Sequence, residues 1–323
     1  MSMENLIVVK DLSVSFYSYR GIVHALQDIY LDIYAGEVLG LVGETGCGKS
    51  TLGLSITRLV PSPGKIEKGQ IILEGEDLLK KSEDEMREIR RDKLSMIFQD
   101  PNTSLNPVFR VGDQIVEGFM VKRGMDKNEA AKMAIELLTA VGIPNPEKVF
   151  NQYPHELSGG MKQRIMIAIA LTGNPKLLIA DEPTSSLDLT IQAQILDLML
   201  DMKERTGMSI LLITHDMGIV AQTCNRVAVM YAGNIVEVGD VVDVFKRTKH
   251  PYSTGLLEAV RLHEGERRLK VIPGTVPDLI EVPKGCSFNP RCKFASEVCR
   301  REKPMLVEVE KGHFVACHLF RED

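Results

Sequence analysis

One run of eight residues offers the plainest chemistry. Gly43, Glu44, Thr45, Gly46, Cys47, Gly48, Lys49 and Ser50 match the spacing G-x-x-x-x-G-K-[ST], and Thr51 follows. The glycines let the backbone fold tightly enough for successive N–H groups to point into one anion-sized hollow. A helix beginning at Lys49 adds its positive dipole end. Lys49 supplies a mobile charge for the outer phosphates, and the Ser50 hydroxyl is a ligand for Mg2+. Such a loop binds a nucleotide, but alone it does not separate kinases, GTPases and motor ATPases. Cys47 is its unusual member. Amides and a helix N-terminus favour a thiolate, so alkylation of Cys47 is expected to inactivate the protein and nucleotide to protect it.

Two adjacent carboxylates form the second group. Leu177, Leu178, Ile179 and Ala180 make an apolar strand that ends on Asp181 and Glu182. A carboxylate at the end of a buried strand is expensive unless it holds a metal or a proton. Asp181 is therefore expected to reach the Mg2+, and Glu182 to polarise the water that attacks the γ-phosphate. His215 follows a further apolar strand, Ile210–Ile213, in a position to bond the γ-phosphate and orient that water. Gln99 closes the run from Leu94 in the same way, with a neutral amide suited to sensing metal and water.

These residues need strands and loops to carry them. Residues 1–99 read as strand-rich: Leu6–Val9 and Leu12–Phe16 are short β-type runs, and Val23–Ile33 alternates in places. Val38–Val42 is an apolar strand that runs straight into the glycine loop, the opening of an α/β nucleotide-binding fold. Residues 100–172 turn helical, with Asp126 and Glu129 as a capping-box start and Gly142 as a stop. Ala130, Met133, Ala134, Leu137, Leu138 and Val141 fall on one face of that helix. Fully apolar strands then return, as central parallel strands covered on both sides should. The expected organisation is a nucleotide-binding core over 1–99 and 173–249, a helical insert over 100–172, and a C-terminal appendage over 250–323.

Composition narrows the field. The 323 residues are 44% hydrophobic with a formal net charge of −5, which argues against general nucleic-acid affinity. No run approaches the ~18 apolar residues of a membrane span, and the first residues lack a secretory pattern. A cytoplasmic protein is expected, reaching a membrane only through a partner.

Leu157, Ser158, Gly159, Gly160, Met161, Lys162, Gln163 and Arg164 add a second anion site, a hydroxyl and glycine amides at a helix N-terminus. This segment resembles the signature of ABC ATPases. In order along the chain, Gly43–Ser50 looks like the Walker A loop, Gln99 the Q-loop, Leu157–Arg164 the signature and Leu177–Glu182 Walker B. Ser185, Ser186, Leu187 and Asp188 look like the D-loop, and His215 the switch histidine. The resemblance implies a P-loop ABC ATPase α/β core with an antiparallel β subdomain and a helical insert. It also implies MgATP held in a head-to-tail dimer, where each signature, with Ser158, Gly159, Gly160 and Asp188, faces the other chain's phosphate loop. An aromatic then stacks on adenine: Phe16 aligns best, with Tyr17 and Tyr19 as competitors.

Four cysteines, Cys286, Cys292, Cys299 and Cys317, crowd the C-terminal end, while Cys47 and Cys224 stand alone. In a reducing compartment such a cluster reads as metal ligands before disulfides. Their spacing fits neither zinc ribbons nor the usual ferredoxin pattern. His313 and His318 are spare potential ligands but read as surface residues, and Cys224 as a small apolar one. The segments from His250, Gly274 and Gly285, with Ile97–Pro107, look like ATPases of dipeptide, oligopeptide and nickel importers. That resemblance favours a [4Fe–4S] cluster over Zn2+ on the four cysteines. It implies an unlike (or identical) second ATPase, two membrane permeases and, indirectly, an extracytoplasmic peptide-binding protein, with the chain on the cytoplasmic face of the membrane. Peptide import is the expected function, nickel import the alternative. Nucleic-acid-acting ABC ATPases carry long coiled coils or two cassettes, and neither is present.

Overall fold

Alternation and bulges shape the N-terminal strands in the computed structural model, which describes residues 4–99, 104–185, 187–260 and 272–321. β1 (Asn5–Ser18) joins both short runs expected there, and β2 (Gly21–Tyr34) returns antiparallel beside it. The break between the runs is a register shift, with Asp11 at φ 49, so a bulge bends one strand where the pattern suggested two. Val38–Val42 forms β3, all five residues buried, and α1 (Lys49–Ile56) follows the glycine loop. β4 (Gly64–Leu73) pairs with β1, and the two-residue β5 (Glu76–Asp77) pairs with β4. The antiparallel sheet order is β2-β1-β4-β5.

The chain divides into two compact units, Met1–Lys80 with Leu212–Asp323, and Lys81–Leu211. The second begins with α2 (Glu83–Asp92), closed by a Ser82–Glu85 capping box, and β6 (Leu94–Ile97). α3 (Val111–Arg123), α4 (Lys127–Ala140), α5 (Pro146–Phe150) and α6 (Gly159–Leu171) follow. Asp126 caps α4 by accepting from the amides of Asn128 and Glu129. Ala130, Ala134, Leu138 and Val141 are buried along one face, as their spacing requires. β7 (Leu177–Asp181) runs parallel to β6, and α7 (Leu189–Thr206) completes the unit.

β8 (Ser209–Ile213) crosses the division. The first unit resumes with α8 (Met217–Thr223), β9 (Arg226–Tyr231), β10 (Asn234–Asp240), α9 (Val241–Arg247) and α10 (Pro251–Val260). α11 (Glu297–Arg301), β11 (Val307–Glu310) and β12 (His313–Val315) end it, and strands run β11-β12-β10-β9-β3. The region read from sequence as an appendage, 250–323, thus gives strands β11 and β12 to the sheet of the nucleotide-loop strand, within the same unit. The reason is hydrogen bonding: β12 supplies the edge that β10 lacks, at Glu237↔Val315 and Val238↔Phe314. Among the described residues, no helix is long and apolar enough to cross a membrane.

Candidate functional site

In the first unit the glycine loop is set by close approach. A Cβ on Gly48, at φ 109, would lie 2.5 Å from the Ala25 carbonyl, and one on Gly43 would overlap the carbonyl of Met230. Gly48 is also the N-cap of α1 and offers no side-chain cap, which leaves the amides of the first turn for an anion. Lys49 is buried, and its ammonium donates to the carbonyls of Gly43 (2.8 Å) and Glu44 (3.2 Å). A phosphate would replace those carbonyls as its partner. Glu44, Thr45 and Gly46 lie in the loop itself, while Ser50 and Thr51 stand in the first turn of α1.

Cys47 departs from expectation. Its side chain is 0% exposed, and burial pushes the thiol pKa up, against the lowering effects of the Lys49 charge and nearby amides. Burial therefore counts against the thiolate that the amides and helix end suggested, and favours a packing role for this side chain. Cys224 is likewise buried, its pKa pushed up to about 12 by desolvation, consistent with an inert small residue.

His215 is exposed directly after β8, between Thr214, whose amide donates to the Leu41 carbonyl (3.2 Å), and Asp216, which caps α8. The strand beside β3 therefore delivers this imidazole at the same strand-end level as the glycine loop. Among the aromatics, Phe16 is half-buried, its ring packed against Gly64 and beside Val60. The Tyr17 hydroxyl donates to Glu67 (2.8 Å), whereas the Tyr19 ring is 93% exposed.

In the second unit, register brings two predicted residues together. β6 and β7 pair in parallel with Ile97 opposite Ala180, so Gln99 and Glu182 both stand two residues beyond that pair. The Gln99 amide donates to the Glu182 carboxylate at 2.9 Å. Glu182 sits at φ 46, a left-handed conformation that costs a residue with a Cβ about 1–3 kcal/mol and clusters at functional sites. Asp181, just before it, is buried at the strand end. Carboxylate and amide-carbonyl oxygens are hard donors of the kind Mg2+ prefers, and within this unit Asp181 and Gln99 supply those types.

The signature residues open α6. The Ser158 hydroxyl accepts from the Met161 amide (3.4 Å), and Gly159 and Gly160 occupy the first turn. A Cβ on Gly160 would lie 2.9 Å from Ile191, so the glycine also lets α6 approach α7. Asp188 caps α7, accepting from the amides of Thr190 (3.1 Å) and Ile191 (3.0 Å). Its carboxylate is thus a helix cap in addition to any role toward nucleotide. Ser186 of the same turn lies outside the described residues.

The four clustered cysteines line one small cavity with Phe288, Phe294 and Leu319. Cys286 and Cys292 lie on one turn, and the Cys286 amide donates to the Cys299 carbonyl (2.8 Å). The Cys286 pKa is pushed up to about 11, by burial first and by the neighbouring thiols as well. Cys292 and Cys317 are raised for the same two reasons, desolvation first. Even so, among the described residues no three or more His, Cys, Asp or Glu side chains are placed to hold a single metal ion. The expectation of a formed metal-cluster centre is corrected to this extent: the thiols ring a space instead of converging on a point.

One of the spare histidines is corrected: His313 is buried, with Nε2 2.8 Å from Glu237 Oε1. His318 is half-buried, and its Nε2 lies 2.8 Å from the Glu302 carbonyl. Sequence reasoning also passed over Arg291 and Tyr252, which touch the glycine loop. They stand more than 200 positions from it, and no spacing rule spans that separation.

Comparison with known proteins follows the same division. Residues 26–185 match the model of the ABC transporter family, and residues 236–299 match that of the oligopeptide/dipeptide transporter C-terminal region. A probable peptide ABC transporter ATP-binding protein of Sinorhizobium fredii is 50% identical over 97% of this chain and 94% of its own length. The oligopeptide transport ATP-binding protein OppD of Bacillus subtilis is 49% identical over 98% and 90%. DppD, the dipeptide transport protein of the same organism, is 47% identical over 98% and 95%. Among solved structures, the dimeric post-hydrolysis state of the ATP-binding cassette MJ0796 with ADP and Pi superimposes with TM-score 0.66. That match is 29% identical and covers 73% of this chain and 98% of the other.

Proposed function

We propose, since this chain belongs to the ATP-binding proteins of peptide ABC transporters, that it works as one half of a nucleotide sandwich. The chain is an ATP-hydrolysing subunit of peptide import. In the proposed cycle, the loop from Gly43 to Thr51 holds the phosphates, and an aromatic of the β1 end, Phe16 or Tyr19, stacks on adenine. Ser50, Gln99 and Asp181 serve Mg2+. Glu182 takes the proton of the attacking water, oriented by His215, while Gln99 positions the carboxylate. Ser158, Gly159 and Gly160, with Asp188, close on the γ-phosphate of the opposite chain.

The observation that carries this reading is the possession of two anion-binding helix starts in separate units of one chain, at Gly48 and at Ser158. A single nucleotide needs one phosphate loop, so the second start is supplied for another chain's ATP. The expected partners are a second ATPase subunit (unlike or identical), two permeases and, indirectly, a peptide-binding protein outside the membrane. The chain lies at the cytoplasmic membrane face. Gel filtration tests the sandwich, using the full chain alone and with its co-expressed partner ATPase, with ATP and EDTA. ATP-dependent doubling of mass in either setting is expected; its absence in both would overturn the dimer.

The four cysteines are proposed to hold a [4Fe–4S] cluster in preference to Zn2+. The support is chemical: the four cysteines line one shared cavity, and four thiolates are the ligand set such a cluster takes. Bound there, such a group would take the four cysteine sulfurs as ligands and tie the turn at Cys286 to Cys299 and Cys317. Anaerobic purification followed by iron, sulfide and zinc analysis decides it. About four irons per chain with matching sulfide is the expected result; stoichiometric zinc without iron would reverse the assignment.

A further inference from the structure

The turn that carries Cys286 and Cys292 also carries Arg291, and its guanidinium reaches into the phosphate loop. Nη1 donates to Glu44 Oε2 at 2.8 Å and Nη2 to Glu44 Oε1 at 3.1 Å, a bidentate fork. The remaining donors are also used. Nη1 reaches the Tyr231 hydroxyl (3.3 Å), Nη2 the Ile272 carbonyl (3.3 Å) and Nε the Pro273 carbonyl (2.9 Å). The Arg291 side chain is 5% exposed and that of Glu44 26%. Tyr252, fully buried against Tyr231 and Phe288, accepts the Glu44 backbone N–H on its hydroxyl (3.0 Å). Glu44 is therefore held three ways: side chain by Arg291, amide by Tyr252 and carbonyl by the Lys49 ammonium.

We propose that Arg291 is a positioning residue of the nucleotide site, fixing Glu44 and cancelling its charge so that the loop accepts the anionic triphosphate. The physical need is direct. An unpaired carboxylate one residue beyond Gly43 would repel the phosphates across a partly desolvated gap, where like charges interact far more strongly than in water. A rigid fork both neutralises that charge and prevents its rotation into the anion hollow. The Tyr252 hydroxyl engages the Glu44 amide and so fixes the backbone at the start of the loop. By this route the cysteine turn and the nucleotide loop share one side chain.

The inference rests on the MgATP assignment of the loop, and steady-state ATPase kinetics in the assembled transporter test it. Arg291→Ala is expected to raise KM for MgATP about tenfold with kcat within about twofold. Adding Glu44→Gln to it is expected to restore most of the lost affinity, because the uncompensated charge is gone. An unchanged KM in Arg291→Ala, or a double variant as weak as Arg291→Ala alone, would overturn the proposal in favour of a merely structural contact. Should Arg291→Ala lose its cooperative melting transition, Arg291→Lys carries the same pair of comparisons. It keeps charge without the fork, and a rise of about threefold, reversed by Glu44→Gln, is expected. Lys49→Ala is the control for the underlying assignment: if it binds MgATP normally, the loop reading itself fails, whatever Arg291 does.

Discussion

Replacing Glu182 by Gln is expected to lower kcat for ATP by about 10²–10⁴-fold, the usual contribution of a positioned general base, while ATP affinity is retained. The substitution keeps size and the ability to meet Gln99, 2.9 Å away, but removes the negative charge that takes a proton from water. ATP then stays between closed subunits, so the variant is expected to co-purify with unhydrolysed nucleotide in a stable dimer. Single-turnover measurements separate this from a binding defect. Residual turnover within tenfold of the parent would place the base elsewhere. The strained φ of 46 at Glu182 adds a second expectation to the same experiment. Glu182→Gly relieves the strain and removes the carboxylate, so it should be at least as stable as Glu182→Gln and no more active.

The largest effect on stability is expected at Arg226. Its guanidinium bonds Glu37 at 3.1 and 3.3 Å, donates to the Asp32 carbonyl and lies over the Tyr34 ring, 4.4 Å from its centroid. Side-chain exposure is 11% for Arg226 and 5% for Glu37. Arg226→Met leaves the Glu37 carboxylate buried without its partner, a loss of about 3–5 kcal/mol. A fall in Tm on the order of 10 °C follows. Glu37→Gln in the same chain should recover more than half of it, because the stranded charge, not the lost pair, dominates the cost.

The pH dependence at this pair has a definite sign. Desolvation by burial already raises the Glu37 pKa above its ordinary 4.5, although Arg226 and the Tyr34 amide lower it. Loss of Arg226 raises it further. A carboxyl with a raised folded pKa contributes stability that is full below the unfolded value and lost as pH rises through the folded one. The Arg226→Met deficit should therefore be smaller at pH 5 than at pH 7.5, read by thermal melts at both. An equal deficit would mean that packing over Tyr34, rather than charge, is what Arg226 supplies.

Much of this molecule is local, and local features are legible in a sequence. The glycine loop lies between a five-residue apolar strand and a helix because glycine spacing, strand hydrophobicity and the helix start all act within a dozen residues. Asp126 caps its helix and Ser158 its own for the same reason. Gln99 and Glu182 belong together because parallel strands of equal reach end at one level, and two apolar runs ending in polar residues announce that. What the tertiary structure alone decided was burial and long-range partnership. Cys47 looked reactive beside amides and a helix end, but the folded chain buries it completely, and desolvation raises its pKa where the local sequence suggested lowering. His313 looked like a surface residue until β12 joined β10 and brought it against Glu237. Arg291 carried no signal beyond a neighbouring cysteine, since a charge reveals its partner only when the chain has folded it against one.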